Sequence, residues 1–131
     1  MDLSRGKTWF FRLALLASVT IIMHLATTQI HYPVVEDIND KVNHIFAFYV
    51  LALLADFSFP KDGFGLTKVL ALLGYGLLIE MIQYFLPYRS SSFYDLAADG
   101  AGLFVYWISL PALRQVPWLR TRWNVKAKDY G

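Results

Sequence analysis

Between Arg12 and Glu36 the chain carries no formally charged residue for 23 positions, Leu13–Val35, and the apolar part of that run extends from Leu13 to about Thr28. A helix rises 1.5 Å per residue, so a hydrocarbon core of about 30 Å is crossed by about 20 residues. This segment meets that length unaided. Three later runs are shorter: Val42–Ala55 has 14 residues, Val69–Ile79 has 11 and Gly100–Leu113 has 14. Taken singly, each fits a buried helix of a soluble protein. They reach spanning length only if Asp56, Lys68, Glu80, Asp95 and Asp99 are admitted, which predicts spans over 10–28, 42–59, 66–86 and 93–110 and a tail over 111–131. Composition weighs against the soluble alternative. The chain is 56% hydrophobic and 17% charged, whereas soluble domains carry about 25% charged residues. A small soluble domain hides only about two-thirds of its unfolded surface.

Charge sorting then orients the spans. With the N-terminus inside, ten basic residues fall on the inner side: Arg5, Lys7, Arg12, Lys61, Lys68, Arg114, Arg120, Arg122, Lys126 and Lys128. Only Lys41 and Arg89 fall outside, a strong positive-inside pattern. Glu36, Asp37, Asp40, Glu80, Asp95 and Asp99 sort to the outer half. Tyr32, Tyr84, Tyr88 and Tyr94 mark the outer boundary, with Trp9, Trp118 and Trp123 at the inner one. Pro111 and Pro117 are expected to end the last helix, and the basic tail to adhere to anionic lipid. The expected fold is all-α: a transmembrane antiparallel four-helix bundle, one domain over 1–131, with N- and C-termini cytoplasmic. A cleaved signal peptide ending near Ala26-Thr27-Thr28 is the competing reading of the start, disfavoured by the length of the apolar run. A net charge of +2, dispersed along the chain, excludes nucleic acid as an expected partner, and the absence of cysteine removes disulfides and thiolate chemistry.

Each span carries a small-and-polar stripe at helical spacing, the kind of surface that packs inward in a membrane bundle. These are Ala17, Thr20, His24 and Thr28 on the first span, and Asp40, His44, Ala47 and Ala55 on the second, where Lys41 also reaches His44. The third has Gly76, Glu80, Gln83 and Tyr84, and the fourth Asp95, Ala98, Asp99 and Gly102. Glu80 and Asp99 are each six residues from the outer ends of their spans, about 9 Å deep. Four helices should therefore bring His24, His44, Glu80, Gln83, Asp95 and Asp99 to one level, with Lys41 and Arg89 above.

The segments DKVNHIFAFYVLALL (Asp40–Leu54) and GLLIEMIQYFLPYRSSSFYDLAADGAG (Gly76–Gly102) resemble the VanZ-like family of small bacterial membrane proteins. The shared pattern is Asp-Lys-x-x-His, then Glu-x-x-Gln, an Arg-Ser turn and Asp-x-x-x-Asn-x-x-Gly. The resemblance covers about half the chain and implicates Asp40, Lys41, His44, Glu80, Gln83, Arg89, Asp95 and Gly102. Where the family usually has Asn, this chain has Asp99, a carboxylate in place of an amide donor. The resemblance implies a setting in the bacterial cytoplasmic (inner) membrane and a bearing on susceptibility to the glycopeptide teicoplanin. It supplies no reaction.

Structural accounts stand beside the functional ones. Ser92-x-x-Asp95 has capping-box spacing, and Asp37 and Asp40 can start a helix in the same way. Lys41 and Arg89 can snorkel to headgroups, and Asp56 and Lys68 are expected to be an interfacial pair or solvated. Glu80 and Asp99 are harder to explain structurally, because both lie beyond the first helical turn and intramembrane carboxylates usually face a cavity or pathway. Three functions stay open. The first is an outward site that binds, or acts on, an anionic envelope lipid or lipid-linked wall precursor. Asp40, Lys41, Gln83, Arg89 and Asp95 would be its ligand-binding residues, and His44, Glu80 and Asp99 would move protons if it performs chemistry. The second is an oligomeric small-solute or proton-coupled transporter. The third is a scaffold whose polar cluster only stabilises the bundle. No hydrolase signature is present, so enzyme status stays open. No cofactor and no metal is expected; a metal on His44, Glu80 and Asp95 is the minor alternative, because the spacing is not diagnostic. Expected partners are membrane lipid, the lipid-linked precursor and further copies of the chain.

Overall fold

A computed structural model of the chain describes residues 3–28, 40–59, 63–87 and 93–116, with side chains from 6 in the first segment and from 41 in the second. Its elements are α1 (Leu3–Thr27), α2 (Asp40–Ser58), α3 (Leu66–Phe85) and α4 (Phe93–Gln115). All four are long and apolar enough to cross a membrane. Helix is the conformation such segments need, because it satisfies every backbone group internally where no water can. Thr20 and Thr27 fit the same rule, donating their hydroxyls to the carbonyls of Leu16 and Met23 one turn back.

Each predicted span overlaps one of these helices, although α1 begins at Leu3 rather than at 10, and the end of the last one is corrected. Pro111 does not end the last helix, which continues through it to Gln115. Proline removes one backbone donor and crowds the carbonyl four residues earlier, a cost the helix meets only in its last turns.

The most extensive interface joins α2 and α4, which are not consecutive in sequence, followed by α1 on α2. Phe48, Leu51, Ala52 and Ala55 of α2 pack with Leu72 of α3 and with Leu103, Tyr106 and Leu110 of α4. Helix α1 lies at the periphery, and none of its described side chains is fully buried. Only partly buried Leu15, Val19 and Ile22 of α1 reach the core. The expected inward stripe on α1 is therefore corrected: Ala17, Thr20 and His24 lie on its exposed face. Lipid tails are as apolar as leucine, so polarity alone does not choose the buried face in a bilayer. Outward faces carry large apolar side chains such as Phe10, Leu13, Leu16, Phe46, Leu70, Phe104 and Trp107, a surface suited to acyl chains and too greasy for a soluble monomer.

Close approach depends on glycine. A Cβ on Gly102 would stand 2.5 Å from the Ile45 carbonyl oxygen and 3.1 Å from the Tyr49 nitrogen. No described glycine has positive φ. Gly102 is thus required for space rather than for backbone freedom, as small residues are at membrane helix contacts.

Candidate functional site

One end of the bundle gathers most of the ionisable residues singled out above. Lys41 and His44 lie in the first turns of α2, Glu80 and Gln83 near the end of α3, and Asp95 and Asp99 in the first turns of α4. Lys41 Nζ donates to Asp95 Oδ1, bridging α2 and α4. His44 Nδ1 and Asp99 Oδ1 share a 2.6 Å hydrogen bond, and His44 Nε2 faces Asp95 Oδ2 at 4.0 Å. Donor atoms of His44, Glu80 and Asp95 all lie within 4.8 Å of one another.

Burial makes this cluster chemically pointed. Asp99 is 1% exposed, Asp95 5% and Glu80 8%, whereas the Lys41 side chain keeps 43% of its surface open. Asp99 owes its place to Gly76, where a Cβ would stand 2.5 Å from Asp99 Oδ2. Where the resembling family has an amide, this chain sets the Asp99 carboxyl against Nδ1 of His44, which leaves Nε2 facing Asp95.

Gln83 shares the buried face of α3 but donates its amide to the Ala26 carbonyl at 2.9 Å. That carbonyl is in the last turn of α1 and has no intrahelical donor. The Gln83 Oε1 atom is buried with no hydrogen-bond partner among the described residues. Tyr84, expected on the polar stripe, is 75% exposed on the outer surface. Arg89 and Ser92 lie outside the described residues, as does the Asp40 side chain.

A groove of about 530 Å³ runs between α3 and α4 beside the cluster, lined by Leu77, Glu80, Met81, Tyr84, Phe85, Phe93 and Leu96. Its walls are apolar and aromatic, and Glu80 is the one carboxylate among its described lining residues. Glu80 thus belongs both to the His44–Asp95 cluster and to a groove on the bundle surface.

The opposite end holds a second polar cluster, in which Asp56 and Lys68 pair as one of the two expectations had it, and the solvated alternative is corrected because both are buried. Lys68 Nζ donates to Asp56 Oδ1 at 3.0 Å and to the Phe59 carbonyl at 3.1 Å. Tyr106 Oη donates to Asp56 Oδ2 at 2.6 Å. Asp56 is fully buried and Lys68 nearly so. Arg12 Nε donates to the Ser58 carbonyl at 2.9 Å, with its guanidinium over the rings of Trp9 and Phe59. Lys68 and Arg12 thereby satisfy the last carbonyls of α2, which have no donor within their own helix. Burial follows because these long side chains fold back over the helix end. Sequence reasoning missed Tyr106, although it lies four residues beyond Gly102 on the stripe of Asp95, Asp99 and Gly102, and that spacing was the available signal. Between the two clusters the bundle is filled by Phe48, Leu51, Ala52 and Leu103, each no more than 3% exposed.

No curated protein and no solved structure matches the chain. The family model described as VanZ/LLP1 matches residues 1–114. With four helices of spanning length and nearly the whole chain matched, this multi-pass membrane protein belongs to the VanZ-like family.

Proposed function

We propose that the protein sits in the bacterial cytoplasmic membrane as an antiparallel four-helix bundle with both termini cytoplasmic. In this reading its outer-end polar site binds the headgroup of an anionic envelope lipid or lipid-linked wall precursor. The observation that carries the reading is the groove between α3 and α4, apolar enough for an acyl chain and lined in part by Glu80 of the polar cluster. A chain lying in that groove would bring its headgroup to the half-exposed Lys41 and to His44, with Arg89 as a further phosphate-binding group. His44, Glu80 and Asp99 are the groups available for proton transfer if the bound headgroup is also transformed. An effect on glycopeptide susceptibility would follow if the occupant is a wall precursor. The antiparallel arrangement is supported by contacts between the N-terminal half of one helix and the C-terminal end of another, such as Arg12 with Ser58 and Lys68 with Asp56. The inner location of the termini is supported by the ten-to-two division of basic residues.

The scaffold reading draws on the Asp56–Lys68–Tyr106 network, which shows that this bundle uses buried polar groups to hold helix ends. Transport is the weakest reading, because apolar side chains fill the space between the two clusters. Lipids retained through detergent purification, identified by mass spectrometry, separate these readings. Wild-type protein should retain an anionic lipid, and Lys41→Ala and the groove-filling Leu77→Trp should lose it without losing thermal stability. Equal lipid retention in all three proteins would refute the proposal. Loss of accumulation with unchanged lipid content would favour the scaffold.

A further inference from the structure

The geometry points to a binding site for one divalent transition-metal cation, of the zinc or manganese class, on His44 Nε2, Glu80 and Asp95. Three observations carry it. Donor atoms from three different helices come within 4.8 Å of one another. The His44–Asp95 pair, at 4.0 Å, needs to close by about 0.7 Å to reach the roughly 3.3 Å between donors of a tetrahedral site.

The second observation is the orientation of His44. Its Nδ1 is held at 2.6 Å by Asp99, which is 1% exposed. Metal-bound histidines almost always donate the other ring nitrogen to such a carboxylate, which fixes the tautomer and raises the basicity of the ligating nitrogen. Asp99 is thus a positioning residue and His44 Nε2 the ligand. Lys41 engages Oδ1 of Asp95, so Oδ2 is the atom turned toward His44.

The third is burial: Glu80 and Asp95, the two carboxylate ligands, are 8% and 5% exposed, which sets them inside the bundle rather than on its surface. An imidazole in the donor set selects a transition cation over magnesium or calcium, which favour all-oxygen sites. The second polar cluster lacks this arrangement, because Lys68 and Tyr106 already occupy both oxygens of Asp56.

The metal site shares residues with the proposed lipid site and does not depend on it, so the test uses metal alone. The full chain, purified in detergent and stripped with chelator, is titrated with zinc and with manganese, desalted, and analysed for bound metal by mass spectrometry. One equivalent per chain is expected. His44→Gln and Glu80→Gln should each weaken binding at least a hundredfold. Asp99→Asn should weaken it by about 10–100-fold, the usual effect of removing such a positioning group. His24→Gln, on the exposed face of α1, should bind as wild type. Substoichiometric metal on wild-type protein, retention by His44→Gln, or equal loss in His24→Gln would each overturn the site. If His44→Gln does not accumulate, thermal unfolding of wild type decides: the midpoint should fall on chelation and recover when zinc is restored, and an unchanged midpoint would overturn the site. One equivalent of metal on wild-type protein that retains no anionic lipid would refute the lipid reading alone.

Discussion

Replacing Gly102 by alanine tests whether helix approach sets the geometry of the polar site. The added Cβ would meet the Ile45 carbonyl oxygen at 2.5 Å and Phe48 Cβ and Tyr49 N at 3.1 Å. Carbon–oxygen contacts of this kind normally begin at about 3.3 Å, so α2 and α4 must separate by about 0.8 Å. The obstructing atoms are mostly backbone, which cannot swing aside as a side chain can. Overpacking of this type costs about 1–3 kcal/mol, against which alanine regains about 0.8–1 kcal/mol of helix propensity over glycine. Gly74→Ala supplies the control, since a Cβ there meets nothing within 4 Å. The propensity gain is common to both variants, so their difference isolates the steric cost, about 1–3 kcal/mol. At roughly 4 °C per kcal/mol for a chain of this size, Gly102→Ala should unfold about 4–12 °C below Gly74→Ala when tryptophan fluorescence is followed in detergent. The site should suffer in the same variant. His44 and Asp99 lie within one turn of the forced contact, and adding 0.8 Å to their 2.6 Å bond takes it to about 3.4 Å, the edge of hydrogen bonding. Metal and lipid retention should fall in Gly102→Ala and not in Gly74→Ala. Equal midpoints for the two variants would refute the reasoning.

At the other end, Asp56→Leu leaves Lys68 buried without its carboxylate and should destabilise by about 3–5 kcal/mol. Adding Lys68→Met should recover most of that loss, and a double variant no better than the single would refute the pairing argument. Tyr106→Phe removes a 2.6 Å hydrogen bond to a buried carboxylate and should cost about 1.5–3 kcal/mol in thermal or denaturant unfolding; an unchanged midpoint would contradict it. Topology can be tested directly, because the chain contains no cysteine. A single cysteine replacing exposed Phe93 should react with an impermeant maleimide from outside the cell, and one replacing Gln115 only after the membrane is opened. The reverse pattern would invert the assigned orientation.

Much of this protein follows from order along the chain. Runs long enough for a bilayer, basic residues gathered between alternate runs, and paired polar positions three or four apart needed no coordinates to find. The stripe of Asp95, Ala98, Asp99 and Gly102 was legible because a helix repeats every 3.6 residues and all four positions fall on one side. The meeting of Lys41, His44, Glu80, Asp95 and Asp99 was legible because equal counts from helix ends mean equal depths. The same method failed for α1, where Thr20 and His24 also repeat at helical spacing and yet face outward.

Only the folded bundle decided which face of each helix turned inward, because a bilayer penalises charge but ranks one apolar or small-residue face much like another. Tertiary packing put α2 in the middle, against α4 rather than chiefly against its chain neighbours, through a glycine whose missing side chain permits the approach. It also drew Asp56 and Lys68 out of solvent, since each lies one turn inside its helix end and can meet the other only when α2 and α3 are docked. Periodicity along one helix says which residues share a side. Which side meets which neighbour depends on how closely two backbones fit, and that property belongs to the pair rather than to either segment.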